Sequence, residues 1–340
     1  VTGRNVTLLD VAHAAGVSRS TASDALQGSG RVAEATRARV REVADALDYR
    51  PNSAARRLRR AKTSTIGLYL PPTATRLDYY MTLAFGAVAR AQEDGLDVVL
   101  LGSRASAHGP LASRMDGLLV IDPEPGDTLV PTLLEAGIPV VTGELYPGAS
   151  PMPYASVVCD NAALITALLD HVADRGARRP ALLAPGGESA WAQALRAGAT
   201  AWSADRGIPV IVLPVPFAAT PYEVAAATRS LLTADPSVDA VISGPDGSAP
   251  GILQTAQSLG RTAGRDLLVA ACVDGTAART SRPAITAVDL HPHDYGRACT
   301  GLLSEVLTGT SAPDTVRRHR WTLRVRASTG GEKEPRASAG

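Results

Sequence analysis

The chain predicts two folds in series: a small α-helical headpiece of helix-turn-helix type, then a larger α/β core built from doubly wound parallel sheets. Three observations predict this. Residues 7–47 hold three short stretches of helical periodicity, broken by Gly16 and by the loop Gln27-Gly28-Ser29-Gly30. From Thr65 onward, short apolar runs alternate with longer amphipathic ones, the signature of strands covered by helices on both faces. The charge is also lopsided. Residues 1–64 carry twelve Arg and Lys against six Asp and Glu, and the rest of the chain carries 22 against 27, although the 340 residues together amount to only +1.

In the headpiece, Thr7 is placed to cap a first helix over residues 8–15, with Leu9, Val11, Ala12 and Ala15 as its packing face. Gly16 breaks it in the tight turn Ala15-Gly16-Val17-Ser18. Ser18 then caps a second helix over residues 19–26. Its inward set includes Thr21, Ala22, Ala25 and Leu26, and its polar set Arg19, Ser20, Ser23 and Asp24. Two short helices joined by a Gly-containing turn of three or four residues form a helix-turn-helix. A third helix follows over about 33–47, with Val40, Val43, Ala44 and Leu47 at helical spacing. Pro51 stops it, because proline biases its predecessor away from the helical region. Asn52 can cap a seven-residue helix, Ser53 to Arg59. A helix that short does not hold in water by itself, so it is expected to order on contact with a partner, DNA being the obvious one.

The core begins with the apolar strand 65–70, ended by Pro71-Pro72. A helix is expected over 79–93, then strands over 97–101 and 117–121, a helix near 128–136 and a strand over 139–142. A second such unit follows the Pro/Gly-rich stretch 146–154. Its helices are expected over 161–175, 188–205, 222–234 and 249–259, and its strands over 181–184, 210–213, 240–243 and 267–271. A strand over 285–288, a helix over 294–307 and a last strand over 321–325 complete it. Ligands of open α/β sheets bind beyond the carboxyl ends of the strands. With two lobes, that places them in the cleft between.

Composition excludes several classes. No apolar run nears the roughly 18 residues that span a bilayer, so no membrane association is expected. The N-terminal stretch lacks a secretory apolar core, which makes the cytoplasm the expected compartment. Cys159, Cys272 and Cys299 are widely spaced and read as buried hydrophobes. No metal or cofactor is expected. There is no G-x-S-x-G, P-loop or G-x-G-x-x-G, so no catalytic constellation. His291-Pro292-His293 is the one close histidine pair and reads as a surface or hinge feature. Gly186-Gly187-Glu188-Ser189 could offer helix-terminal N–H groups to an anion, which is a binding feature and not a catalytic one.

The segments TLLDVAHAAGVSRSTASDAL, VAEATRARVREVADALDYRPNSAARRL and TSTIGLYLP resemble, without a gap, the lactose-repressor (LacI/GalR) family of transcription regulators. Further matches extend over nearly the whole chain. The resemblance implies a headpiece over 1–51, a hinge helix and linker over 52–63, and a two-lobed core like that of periplasmic binding proteins. The first lobe would comprise 64–158 with 289–315, the second 159–288 with 316–328, and 329–340 would be a disordered tail. It implies a homodimer that reads a palindromic operator and answers to a sugar or related metabolite.

Residue by residue, Arg19, Ser20 and Asp24 match the family's base-reading positions. Arg19 suits a bidentate contact to guanine. Asp24 departs from the lactose repressor, which has Arg there. Its carboxylate could accept from cytosine, pair with Arg19 or Arg31, or exclude phosphates. Thr7, Ser18, Ser23, Thr36 and Tyr49 match phosphate-binding positions. Asn52, Ala55, Arg56 and Leu58 match the hinge, where a leucine wedges between central base pairs in the minor groove. In the cleft, Asp274, Asp246 (with Pro245 replacing the family's Asn) and the pair Asp160-Asn161 match ligand-binding positions. Leu195 stands where the family often has an arginine, and Arg196 or Arg104 could substitute. Trp191 could stack on a ligand ring, and Tyr79 and Tyr80 could line the mouth. The leading alternative is the same regulator with a cleft that no longer binds an effector. A transport solute-binding protein fits less well, because nothing in that class calls for the basic headpiece.

Overall fold

The computed structural model describes residues 6–28, 30, 32–49, 63–102 and 109–330. The chain divides into two compact units, 1–62 and 63–340.

The first unit has three helices: α1 (Leu8–Ala14), α2 (Arg19–Gln27) and α3 (Glu34–Ala46). Thr7 and Asp10 form a reciprocal capping box on α1. The Thr7 N–H and hydroxyl donate to the Asp10 carboxylate at 2.8 and 2.6 Å, and the Asp10 N–H donates back to the Thr7 hydroxyl. Gly16 turns the chain at φ +62°, a conformation that favours glycine. Ser18 caps α2 by accepting from the Thr21 N–H at 3.1 Å. The core is small-residue packing: Val11, Ala12, Ala15, Ala22, Ala25, Val40 and Ala44 are buried together. Alanines at these positions let three short helices close on one another.

The second unit has two six-stranded sheets. In the first lobe lie β1 (Thr65–Tyr69), α4 (Asp78–Glu93), β2 (Asp97–Leu101), β3 (Gly117–Ile121), α5 (Leu129–Leu134), β4 (Val140–Gly143) and β5 (Ala155–Cys159). The chain then builds the second lobe from α6 (Asn161–Asp174), β6 (Pro180–Pro185), α7 (Ala190–Arg206), β7 (Ile211–Val215), α8 (Pro221–Ala234), β8 (Ala240–Ser243), α9 (Pro250–Ser258), β9 (Leu268–Ala271), α10 (Thr276–Thr280) and β10 (Thr286–Asp289). It returns through α11 (Pro292–Thr308) and β11 (Thr315–His319) to the first lobe, and ends with β12 (Thr322–Arg324) in the second. The first sheet is all parallel, ordered β11-β5-β4-β3-β1-β2. The second runs β12-β10-β9-β8-β6-β7, parallel except for the antiparallel β10–β12 pair. The fully buried strands β1, β3, β4 and β6 carry the continuous apolar runs seen in the sequence. Helices α4 and α11 touch through glycines. A Cβ on Gly86 or Gly296 would lie 2.0 Å from a backbone carbonyl of the other helix.

Three expectations are corrected. Residues 316–319, assigned from sequence to the second lobe, continue β11 in the first sheet, in register with Ser156–Cys159. The segment Thr-Val-Arg-Arg-His is an edge strand whose residues are at best half-buried, so no apolar run marks it. Strand β5 was likewise not foreseen after the Pro/Gly-rich stretch. Thr329, expected to open a disordered tail, is fully buried, bonded to Thr286 at 2.7 Å and His171 at 2.9 Å. The expected hinge residues Asn52, Ala55, Arg56 and Leu58, and also Arg104, lie outside the described residues. No described helix is long and apolar enough to cross a membrane.

Candidate functional site

In the headpiece, the first turn of α2 is the chemically distinctive surface. Arg19 and Ser20 are exposed there, no acid stands in that turn, and the positive end of the helix dipole lies at the same end. The Ser18 hydroxyl bonds those of Ser20 and Thr21, each at 2.8 Å, so the three hydroxyls form one cluster. Thr7 is exposed, and Thr36 and Tyr49 are partly so. Ser23 is buried, at 8 % exposure, which leaves little of it for a phosphate. Asp24 lies back against Gly30, where a Cβ would sit 2.9 Å from its carboxylate oxygen. That position favours the local use of this carboxylate over reach into a groove. Arg39 is tied to the Ala15 carbonyl across the unit.

In the core, the cleft between the lobes narrows to a cavity of about 30 Å³, room for a water or two, and widens beside Asp122 and Phe217 into a space of about 610 Å³. Tyr79 and Tyr80 enter from the start of α4. Asp122 follows β3 and Glu144 follows β4, both beyond carboxyl ends of adjacent strands. Both are in left-handed backbone conformation, φ +46° and +72°. Non-glycine residues held there cost energy and cluster at functional sites. Asn161 opens α6, Trp191 opens α7, Phe217 follows β7 and Asp246 follows β8. Trp191 and Phe217 meet edge to face at 5.4 Å.

The electrostatics are unusual. Burial, then the neighbouring Asp122, pushes Glu144 up to about 8. The Cys159 N–H at 3.0 Å, the Asn161 side chain and the Tyr295 hydroxyl only partly offset this. Burial raises Asp122 to about 6, eased by the Tyr80 hydroxyl at 2.7 Å. Burial also raises Asp246, which accepts from the Tyr79 N–H at 3.2 Å across the cleft.

Of the residues expected here, Tyr79, Trp191 and Asp246 line the cavity. Three stand elsewhere. Asp160 caps α6 and pairs with Arg318 at 2.7 Å, so its neighbour Asn161 takes the place on the wall. Asp274 is held by both terminal nitrogens of Arg326 at 2.9 and 2.8 Å, also meets Arg279, and is not on the wall. Arg196 donates to the carbonyls of Pro185 and Gly187 and braces that loop. Sequence reasoning singled out Asn161 only as the partner of Asp160, and missed Asp122, Glu144 and Phe217 as site residues. A signal existed for Asp122 and Glu144, since Asp122 directly follows a predicted apolar strand and Glu144 follows another after Gly143.

Residues 7–52 match the family described as bacterial regulatory proteins, lacI family, and residues 169–329 match the periplasmic binding protein-like domain. The chain is 31 % identical over 317 residues to the HTH-type transcriptional regulator CelR of Thermobifida fusca, covering 90 % of this chain and 93 % of that one. It is 25 % identical over 334 residues to catabolite control protein A of Priestia megaterium, covering 96 % and 99 %. Among solved structures, a CelR–cellobiose complex matches with a TM-score of 0.71 at 27 % identity, over 95 % of this chain and 99 % of that one. A lac repressor dimer bound to operator and the anti-inducer ONPF has the same fold, with a TM-score of 0.81 at 22 % identity, over 96 % and 99 %. A helix-turn-helix unit, a two-lobed α/β core and full-length similarity to CelR converge on one conclusion: the chain belongs to the LacI family of DNA-binding transcriptional regulators and is not an enzyme.

Proposed function

We propose that the protein is a repressor that binds a near-palindromic operator as a homodimer and changes its grip when a small polar molecule fills the cleft. The observation that carries the effector half is the cavity wall. Two buried side-chain atoms on it, Trp191 Nε1 and Asn161 Oδ1, have no hydrogen-bond partner. Buried polar groups are nearly always paired, and a pair of orphans facing one cavity fits a missing ligand. Relatives guide the choice of ligand: one solved relative is a complex with cellobiose.

The dimer is supported by exposed apolar side chains on neighbouring elements of the first lobe. Met81 and Phe85 on α4 and Val99 and Leu100 on the edge strand β2 are all exposed, Phe85 at 65 %. The DNA half is supported by the first turn of α2, by the charge of residues 1–64, and by the hinge sequence with Leu58. Effector and operator would then be coupled by a free energy of typically about 1–3 kcal/mol.

The test has two steps. Genomic fragments are selected on the protein and the bound site is footprinted. The expected footprint has two related half-sites, and a single unrepeated site would overturn the dimeric reading. Operator affinity is then measured with cellobiose and other sugars, nucleosides and small acids, and a change with one of them supports the effector site. A second reading, a regulator whose cleft has lost its ligand, is favoured by Leu195, fully buried in the second lobe's core where relatives often carry arginine. No thermal shift with any compound would support it.

A further inference from the structure

Nearly every strong ion pair in the core uses arginine. Asp274 is held by Arg326, Glu93 by Arg297, Glu305 by Arg317, Asp160 by Arg318 and Asp235 by Arg179. The cleft is the exception. Its inner cavity is lined by Asp122, Glu144 and Asp246, and the wider space beside it adds Glu124 and Asp127. Among the described residues no Arg, Lys or His lines either space. The five carboxyls are met by hydroxyls and amides instead. Tyr80 donates to Asp122, Tyr69 and the Leu129 N–H to Asp127, and the Cys159 N–H, Asn161 and Tyr295 to Glu144. The Tyr79 N–H donates to Asp246 and the Ser189 N–H to Glu124.

The two orphaned atoms lie on the same wall. The Asn161 amide gives its N–H to Glu144, which leaves Oδ1 free, and Trp191 Nε1 has nothing to donate to. Their residues are 4 % and 9 % exposed, so neither is satisfied by bulk water. A donor and an acceptor beside the Trp191–Phe217 aromatic pair suit a hydroxylated ring. The uncompensated carboxyls ask for something more, a positive charge. Aromatic faces accept a cation as well.

We propose that the cleft selects a small ligand with a protonated amine on a hydroxylated ring, an amino sugar in class, with its ammonium between Asp122 and Glu144. The ring enters from the wider space beside Asp122 and Phe217, and the lobes part at the Tyr79–Asp246 contact so that it lies against Trp191 and Phe217 and its hydroxyls meet Trp191 Nε1 and Asn161 Oδ1. This rests on the reading of the cleft as the effector site. A neutral sugar would satisfy the two orphans but leave the ionised Asp122 without a countercharge. Binding of the cation also has a proton signature. Glu144 faces Asp122, Cys159 and Tyr295 with Asn161 opposite, and Asp122 faces Tyr80 and Glu124. Among the described residues no cation stands with those groups, so an arriving ammonium draws Glu144 into its ionised form and a proton leaves.

The experiment is isothermal titration calorimetry of the full chain at pH 7 in two buffers of different ionisation enthalpy. The probes are glucosamine against glucose, and β-1,4-linked diglucosamine against cellobiose. An amino member that binds at least tenfold tighter than its neutral match, with proton release, is the expected result. Asp122→Asn with Glu144→Gln should erase that preference. Trp191→Phe, which keeps the ring and removes the donor, should weaken the amino and neutral sugars alike and serves as the second variant if the double one does not fold. A neutral sugar that binds as tightly as its amino match overturns the amine. If it also shifts operator affinity, the effector reading survives without it. An amino sugar that binds but leaves operator affinity unchanged supports the ligand class and overturns the effector reading. Four silent titrations overturn both.

Discussion

The backbone N–H of Tyr79, at the start of α4 in the first lobe, donates to the carboxylate of Asp246, after β8 in the second, at 3.2 Å. It is a direct polar link across the cleft. Tyr79 and Phe217 also pack against the cores of both lobes. The lobes therefore meet at the residues a ligand would touch, and any occupant must act on this contact. Asp246→Ala is expected to speed amide hydrogen exchange over residues 79–81 and leave exchange in α1–α3 unchanged. Unaltered exchange at the start of α4 would show that Asp246 does not hold the lobes together.

Glu144 gives the core a pH dependence with a definite sign. Its acidity is set near 8 in the folded chain against 4.5 for the free side chain. A carboxyl raised in this way is protonated in the native state, so the folded form binds more protons than the unfolded one between those values. Its contribution is fully present below about pH 4.5 and is lost as pH rises towards 8. Asp122, raised to about 6 from 3.8, adds in the same direction over the lower part of the window. Glu144→Gln, neutral and of similar shape, should raise the melting temperature at pH 8 by about 3–6 °C and have little effect at pH 5. Equal shifts at both pH values would count against the buried acid as the cause.

Asp274 tests the separation of structural from binding acids. Its side chain is 4 % exposed and forked by Arg326, which also bonds the Ile285 carbonyl. Removing Arg326 leaves this buried carboxylate only its longer contact to the exposed Arg279 at 3.3 Å, at a cost approaching the roughly 3–5 kcal/mol of a broken buried pair. Arg326→Met should lower thermal stability markedly and leave the affinity of any cleft ligand within about twofold. A large affinity loss at unchanged stability would return Asp274 to the binding site.

In the headpiece, Arg19→Ala should flatten preference at one base pair per half-site, at a cost of about 1–3 kcal/mol against the preferred base. A uniform loss over all sequences, with a shallower salt dependence, would make Arg19 a phosphate contact. Asp24→Ala should change base preference much less, because the carboxylate rests on Gly30.

Leu58 belongs to the segment read as a minor-groove hinge. Leu58→Ala is expected to weaken operator binding strongly and leave the dimer intact by sedimentation. Unchanged operator affinity would remove the wedge from the account.

Much of the protein was written locally in the chain. The caps at Thr7 and Ser18, the turn at Gly16 and the apolar strands β1, β3 and β6 depend on residues a few positions apart, so periodicity and turn chemistry reveal them. The same locality makes the headpiece legible down to the first turn of α2. Strand β11 was hidden because an edge strand needs no apolar run; its evidence is its partner β5, more than 150 residues away. The carboxyls of Asp160 and Asp274 read as ligand-binding until their arginines, 158 and 52 positions on, were in place. Asp122 and Glu144 became a pair only when parallel pairing set β3 beside β4, and their raised acidity comes from burial that no single stretch contains. Sequence alone determined that this is a helix-turn-helix regulator with an α/β core, because those signals are short-range. Tertiary structure alone decided which acids are neutralised and which are left facing the cleft, because charge pairing and desolvation depend on distance in space.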